Sequence, residues 1–159
     1  MSGLTKVAKR HLLQPASPRP VIRFKNRGAS LGLGMSNTPM LIHEIDEGFS
    51  FLALERLESH TGVGLSLLAA IVGIPERTLA RRKAAGRLTP EESERLLRIA
   101  GIFEKSVELF EGDATAAVDW LMTPRRALND QEPLLYSRTE LGAREVENLI
   151  GRLEHGVFS

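Results

Sequence analysis

The chain has 159 residues, of which 42% are apolar and 26% are charged, proportions close to those of globular proteins. They exclude a fully disordered or fibrous protein, and the length suits one medium domain or two small ones. The absence of cysteine excludes a disulfide framework, a cysteine-ligated zinc site and a thiol nucleophile. No continuous apolar stretch approaches the ~20 residues that a membrane span needs, so we expect a cytoplasmic protein without membrane contact.

The net charge of +1 conceals a basic N-terminal segment. Seven of the first 30 residues are lysine or arginine and none is acidic, so the rest of the chain is net negative. Prolines at 15, 18 and 20 and a glycine-rich stretch near residue 30 interrupt any long periodic element. We therefore predict a flexible basic arm over residues 1–45, with at most a short strand from Val21 to Phe24. Such an arm is compatible with plain solvation and with contact to nucleic acid or protein.

From residue 49 onward, apolar residues recur at intervals of three and four, which indicates amphipathic helices. Gly62 and Gly64 separate the first two helices, and Ser66 is the expected N-cap of the second. Gly73-Ile74-Pro75 then ends that helix and starts a short third one from Glu76 to Ala84. Helix, tight glycine turn and short helix are the helix-turn-helix arrangement.

The second helix of this arrangement is strongly basic. A helix fits the major groove in width, and guanidinium groups can contact guanine or phosphates there. The alternative is a basic helix face that is merely solvated, and we favour the DNA contact. The candidate DNA-binding residues are Arg77, Thr78, Arg81, Arg82 and Lys83.

A long helix follows, with a start signal made of the cap Thr89, the first-turn Pro90 and two acids favoured by the helix dipole. Its apolar stripe continues for about twenty residues, or roughly 30 Å. We predict one further helix after Asp113 and a last helix from Glu140 to His155. The residues of the last helix that we expect to point inward are Leu141, Val146, Leu149, Ile150 and Leu153. The predicted fold is therefore all-α.

The sequence contains no pattern that predicts catalysis. The four histidines show no metal-binding spacing, and they are His11, His43, His60 and His155. No phosphate-binding glycine motif occurs, and the paired acids Glu91 and Glu92 are better explained as helix-start charges. We therefore expect no metal, no cofactor and no enzymatic activity.

Two surface features leave alternatives open. Arg125 and Arg126 follow a proline on a predicted turn, where contact with an acidic partner and solvation are equally compatible. The chain ends in Val157 and Phe158 beyond a glycine, and these apolar residues either fold back onto the core or anchor in a partner's pocket.

Several separated motifs, in this order, resemble the Xre/MbcA/ParS family of antitoxins, the partners of RES-domain toxins in type II toxin–antitoxin systems. They are GIPERTLARRK at 73–83, GRLTPEESERL at 86–96, AVDWL at 117–121, GAREV at 142–146 and GRLEHG at 151–156. The resemblance covers residues 50–159. The chain departs from the family pattern at Asn129-Asp130, where a glycine pair is expected, and over residues 134–138.

The resemblance implies a helical bundle with a homeodomain-like, Xre-type helix-turn-helix over residues 46–100 and a C-terminal helical toxin-binding domain over residues 101–159. It implies a homodimer that binds operator DNA to repress its own operon and sterically inhibits a toxin that degrades NAD. The residues expected to contact the toxin are Arg144, Arg152, Glu154, His155, Val157 and Phe158. The alternative is a stand-alone helix-turn-helix regulator without a toxin partner.

Overall fold

The protein, described by a computed structural model over residues 18–34 and 37–156, is all-helical in those ranges, as predicted. Strand pairing there is limited to isolated bridges, one of which joins Val21 to Asp113, so the strand predicted from Val21 to Phe24 is wrong. The eight α-helices of the described residues are α1 (Thr38–Glu47), α2 (Phe51–Thr61), α3 (Leu65–Val72), α4 (Glu76–Ala85), α5 (Pro90–Leu109), α6 (Ala114–Leu121), α7 (Pro133–Tyr136) and α8 (Glu140–Glu154).

Helices α3 and α4 form the predicted helix-turn-helix. Gly73 has a φ of 85°, and its N–H donates to the carbonyl of Ala70, which closes the end of α3. The next residue, Ile74, is buried and anchors the turn in the core. The N-cap predicted for α3 is wrong: the helix begins at Leu65 after Gly64, so Ser66 lies inside it.

Helix α5 is the central scaffold. Its start is a capping box, in which the Thr89 hydroxyl accepts the Glu92 N–H at 3.2 Å and the Glu92 carboxylate accepts the Thr89 N–H at 2.9 Å. The helix packs against α1 and α3, which precede it in the sequence, and against α6 and α8, which follow it. The boundary expected between residues 100 and 101 therefore falls inside a continuous helix that serves both halves.

The C-terminal half contains three α-helices, and side chains cap the starts of two of them, α6 and α8. Asp113 accepts the Ala116 N–H at 3.0 Å to start α6, and Thr139 accepts the Gly142 N–H at 3.0 Å to start α8. Short α7 packs between these elements, in contact with both α6 and α8. The buried side chains of these helices form one hydrophobic core with those of α5. Within α8, Val146 and Ile150 are the most deeply buried apolar residues.

The N-terminal strap, residues 18–34, lies along α5. Its apolar and basic residues alternate, so that Ile22 and Phe24 face the protein while Arg23, Lys25 and Arg27 are exposed. Phe24 packs edge-to-face on His60 and against Phe103, with ring centroids 5.3 and 5.6 Å apart.

A 3₁₀ turn at Ala29–Leu31 docks the end of the strap on the core. The carboxylate of Glu104 on α5 accepts the Ser30 N–H at 2.9 Å and the Ser30 hydroxyl at 2.7 Å, and Leu31 is fully buried. Gly28 has a φ of 86°, which lets the chain bend into this turn.

The flexible arm predicted for residues 1–45 is therefore wrong for residues 18–34 and 37–45. Asn37 and Pro39 start α1: the side-chain Oδ1 of Asn37 accepts the Met40 N–H at 2.9 Å, and proline is suited to a first helical turn. Residues 1–17, with Lys6, Lys9 and Arg10, lie outside the described residues.

Candidate functional site

The outer face of α4 carries exposed arginines separated by small residues. Arg77 and Arg81 are one helical turn apart and share a face with the exposed Ala80 and Ala84. No residue of α4 is buried, and the helix packs against α3 through its half-buried side. Two guanidinium groups flanked by methyl groups can reach base edges or phosphates without obstruction by bulky neighbours.

The other predicted DNA-binding residues lie around this face. Thr78 is half-buried beside it. Lys83 is exposed, but two residues beyond Arg81 it lies on roughly the opposite side of the helix, about 200° around the axis.

Arg82 points back into the protein. Its Nε donates to Glu92 Oε1 at 2.8 Å, and Glu92, at the start of α5, is only 6% exposed. Nearby Arg87 is exposed, but its Nη1 donates to the carbonyls of Glu47 and Gly48 at the end of α1. Arg82 therefore joins α4 to α5, and Arg87 joins the residues after α4 to the end of α1.

The Arg82–Glu92 pair sets the charge state of Glu92. Burial raises the pKa of Glu92, but hydrogen bonds from Arg82 and Thr89, together with the charge of Arg82, outweigh burial and hold the pKa below its ordinary value of 4.5. The carboxylate is thus ionised whenever the protein is folded near neutral pH, and it fixes α4 on α5.

A second candidate surface runs along the outer side of α8. Arg144, Arg152, Glu154 and His155, all predicted to contact a toxin, are exposed. Arg144 is paired with Glu140 at 2.9 Å across one turn, an exposed ion pair that contributes little to stability. Val157 and Phe158 lie outside the described residues.

Leu141 belongs to this surface, so the prediction that it points inward is wrong. Its side chain is 79% exposed, because the buried stripe of α8 runs through Gly142 and Val146 and leaves Leu141 about 100° to one side. Glu145, Asn148 and Arg152 follow Leu141 on the same face at four, seven and eleven residues.

Between α7 and α8 is a groove of about 550 Å³, which we call the α7–α8 groove. It is lined by Gln131, Leu135, Tyr136, Arg138, Thr139, Leu141, Gly142, Arg144, Glu145 and Asn148. Sequence reasoning missed it because the four-residue α7 is too short to show a helical period. The one sequence feature that indicates α7 is Pro133, because proline is suited to a first helical turn.

The C-terminal half is reinforced by the single tryptophan. Trp120 is buried, and Arg125 lies over its ring at 5.2 Å while Arg125 Nη2 donates to the Trp120 carbonyl at 3.3 Å. Of the two arginines on this turn, Arg125 is therefore used for packing, and Arg126 is exposed.

No cluster of three histidine, aspartate or glutamate side chains in the described residues has the arrangement of a metal site. Among those residues, no helix combines the length and apolarity needed to cross a membrane.

Comparison with known families assigns a domain to each half of the chain. Residues 40–101 match the antitoxin Xre-like helix-turn-helix domain, which contains α3 and α4. Residues 106–156 match the antitoxin Xre/MbcA/ParS C-terminal toxin-binding domain, which contains α8. The protein is thus an antitoxin with a DNA-binding domain followed by a toxin-binding domain, a non-enzymatic regulator and inhibitor.

Two curated relatives support the same assignment. An antitoxin Xre of Yersinia enterocolitica (serotype O:8 / biotype 1B) is 38% identical over 143 residues, which cover 89% of this chain and 97% of the relative. An antitoxin Xre of Photorhabdus laumondii subsp. laumondii is 34% identical over 131 residues, which cover 82% of this chain and 88% of the relative. The chain belongs to the Xre antitoxin family, and the resemblance inferred from sequence is confirmed.

The similarity begins earlier than the motifs indicated. The helix-turn-helix match starts at residue 40 rather than 50 and includes most of α1. An alignment that covers 89% of the chain must also extend into the first 45 residues, where no family feature was expected.

Proposed function

We propose that this protein is the antitoxin of a type II toxin–antitoxin system and sterically inhibits a RES-domain toxin that degrades NAD. The match of residues 106–156 to a toxin-binding domain supports inhibition by direct contact. The motif resemblance supports the RES class of toxin. The observation that carries the proposal is the exposed outer face of α8, which lies wholly within the matched domain.

In this proposal the toxin contacts form one continuous surface. Arg144, Arg152, Glu154 and His155 lie along about 17 Å of α8, at 1.5 Å per residue, and meet the rim of the toxin's cleft. Val157 and Phe158 follow in the chain and enter the cleft as apolar anchors.

The same protein represses its own operon through α4. Arg77 and Arg81 enter the major groove of operator DNA, Thr78 beside them contacts a flanking phosphate, and Arg82 stays paired with Glu92, while Lys83 lies on the far side of the helix. A homodimer presents two such helices to two half-sites, since the symmetry of most helix-turn-helix operators mirrors that of the protein. In this proposal the protein acts in the cytoplasm, where it meets both its DNA and the toxin.

Co-expression with the reading frame next to this gene tests the proposal. The neighbouring protein alone should stop growth and lower cellular NAD, and the present chain should restore both. A neighbour that is not toxic, or toxicity without rescue, would contradict the proposal and favour a stand-alone DNA-binding regulator.

A further inference from the structure

We propose that the α7–α8 groove holds an apolar segment of the toxin, with Leu141 and Leu135 as the anchor. This inference rests on the proposed function, because it names a second contact with the toxin. That contact lies away from the toxin's active-site cleft.

The apolar exposure at this groove is concentrated. Leu141 is 79% exposed and Leu135 is 40% exposed, and both line the same concavity together with Tyr136. Single exposed leucines are common on protein surfaces and need no partner. Two leucines and an aromatic ring inside a polar rim, here including Arg138 and Asn148, have the core-and-rim composition of a protein interface.

The groove is built rigidly. A Cβ on Gly142 would collide with the backbone carbonyl of Tyr136, so glycine alone lets α8 lie directly against α7. The buried Ser137 hydroxyl donates to the Pro133 carbonyl at 2.7 Å and closes α7, while Thr139 caps α8. A surface held in this way loses little conformational freedom on binding, which favours affinity.

The openness of the groove favours a protein as its occupant. Most of the lining residues are exposed, so a small molecule would remain largely in water, whereas small-molecule sites bury about 70–90% of their ligand.

Continuity with the outer face of α8 favours the toxin rather than a second copy of this chain. Leu141 begins the stripe that continues through Glu145 and Asn148 to Arg152, and all four residues lie in the toxin-binding match.

The test compares two leucines in equivalent positions. Leu141 is the second residue of α8 and Leu52, 53% exposed, is the second residue of α2, and each follows a hydroxyl N-cap. Leu141→Ser and the control Leu52→Ser should therefore affect folding equally little. Binding of each to the RES-domain protein encoded next to this gene is measured by calorimetry, together with DNA binding and oligomeric state.

We expect Leu141→Ser to weaken toxin binding by at least about tenfold, Leu141→Met to retain it, and Leu52→Ser to bind as the wild type does. DNA binding and oligomeric state should not change. Wild-type affinity for the toxin in Leu141→Ser would overturn the inference, whether or not its stability falls, and would leave the proposed function standing. Loss of self-association in Leu141→Ser would overturn it in favour of a second copy. Failure of the wild-type protein to bind the toxin would instead overturn the proposed function and this inference with it.

Discussion

At the scale of single residues, Glu92 shows how one carboxylate can serve two helices. It accepts the Thr89 N–H in the capping box of α5 and the Arg82 Nε from α4. Because the pKa of Glu92 is lower in the folded protein than in the unfolded chain, ionisation of this group stabilises the fold. That stabilisation is complete above the ordinary value of 4.5 and is lost as the pH falls through the lower folded value.

Glu92→Gln should reduce the free energy of unfolding by about 1–3 kcal/mol at pH 7, because the amide still accepts the Thr89 N–H but no longer neutralises Arg82. The difference from the wild type should shrink as the pH falls from 4.5 through the lower pKa of folded Glu92, because the wild-type carboxylate becomes protonated first in the unfolded chain and then in the folded protein. Urea unfolding across this pH range measures both effects. The exposed Glu91→Gln is the control, and an equal loss in that variant, or a difference independent of pH, would contradict the role given to Glu92.

Arg81→Ala should weaken binding to the DNA upstream of this gene. We expect a loss of about 1–3 kcal/mol with relaxed sequence preference if Arg81 contacts a base, or a uniform loss with a shallower salt dependence if it contacts a phosphate. Fluorescence anisotropy at several salt concentrations distinguishes the two. Arg126→Ala, an exposed arginine outside the helix-turn-helix, should bind normally. Undiminished binding by Arg81→Ala would place the DNA contact elsewhere.

At the scale of elements, the N-terminal strap links the two halves of the protein. Phe24 contacts His60 at the end of α2 and Phe103 in α5, and Arg19 pairs with Asp113 at the start of α6 at 3.3 Å. The strap therefore stabilises the packing of the DNA-binding half on the toxin-binding half.

Phe24→Ala should lower the free energy of unfolding by about 1–3 kcal/mol, less than the usual 3–5 kcal/mol for a fully buried phenylalanine because Phe24 is half-buried. It should also speed proteolysis within residues 18–34. Urea unfolding and a timed protease digest measure these effects, and Lys25→Ala, exposed in the same strap, is the control. If Phe24→Ala and Lys25→Ala are equally stable, the strap does not contribute to the fold.

The sequence predicted best those elements whose ends carry local signals. Thr89 and Pro90 start α5, Gly73 and Gly86 end α3 and α4, and these residues act through backbone geometry that does not depend on distant contacts. The strap could not be predicted in this way, because its alternation is short and its docking depends on Glu104, more than 70 residues away.

The candidate site was predicted only in part, because contacts between different elements also decide which of its side chains are exposed. The charge of Arg82 is visible in the sequence, but its partner Glu92 lies on the next helix and was read only as a helix-start charge. Leu141 was assigned to the core from its apolar character, whereas its angle from the stripe through Gly142 and Val146 places it at the surface.

At the scale of the whole molecule, α5 joins two binding surfaces into one protein. Its first turn holds α4 through Glu92, and its later turns support α6 and α8. The DNA-binding and toxin-binding faces therefore share a single hydrophobic core.

A titration tests whether this protein inhibits an NAD-degrading toxin by direct contact. Purified RES-domain protein from the neighbouring gene is assayed for NAD consumption with increasing amounts of the present protein. We expect a linear fall in activity to zero at a fixed molar ratio, and no NAD consumption by this protein alone. Toxin activity that is unchanged at a molar excess of this protein would contradict inhibition by direct contact.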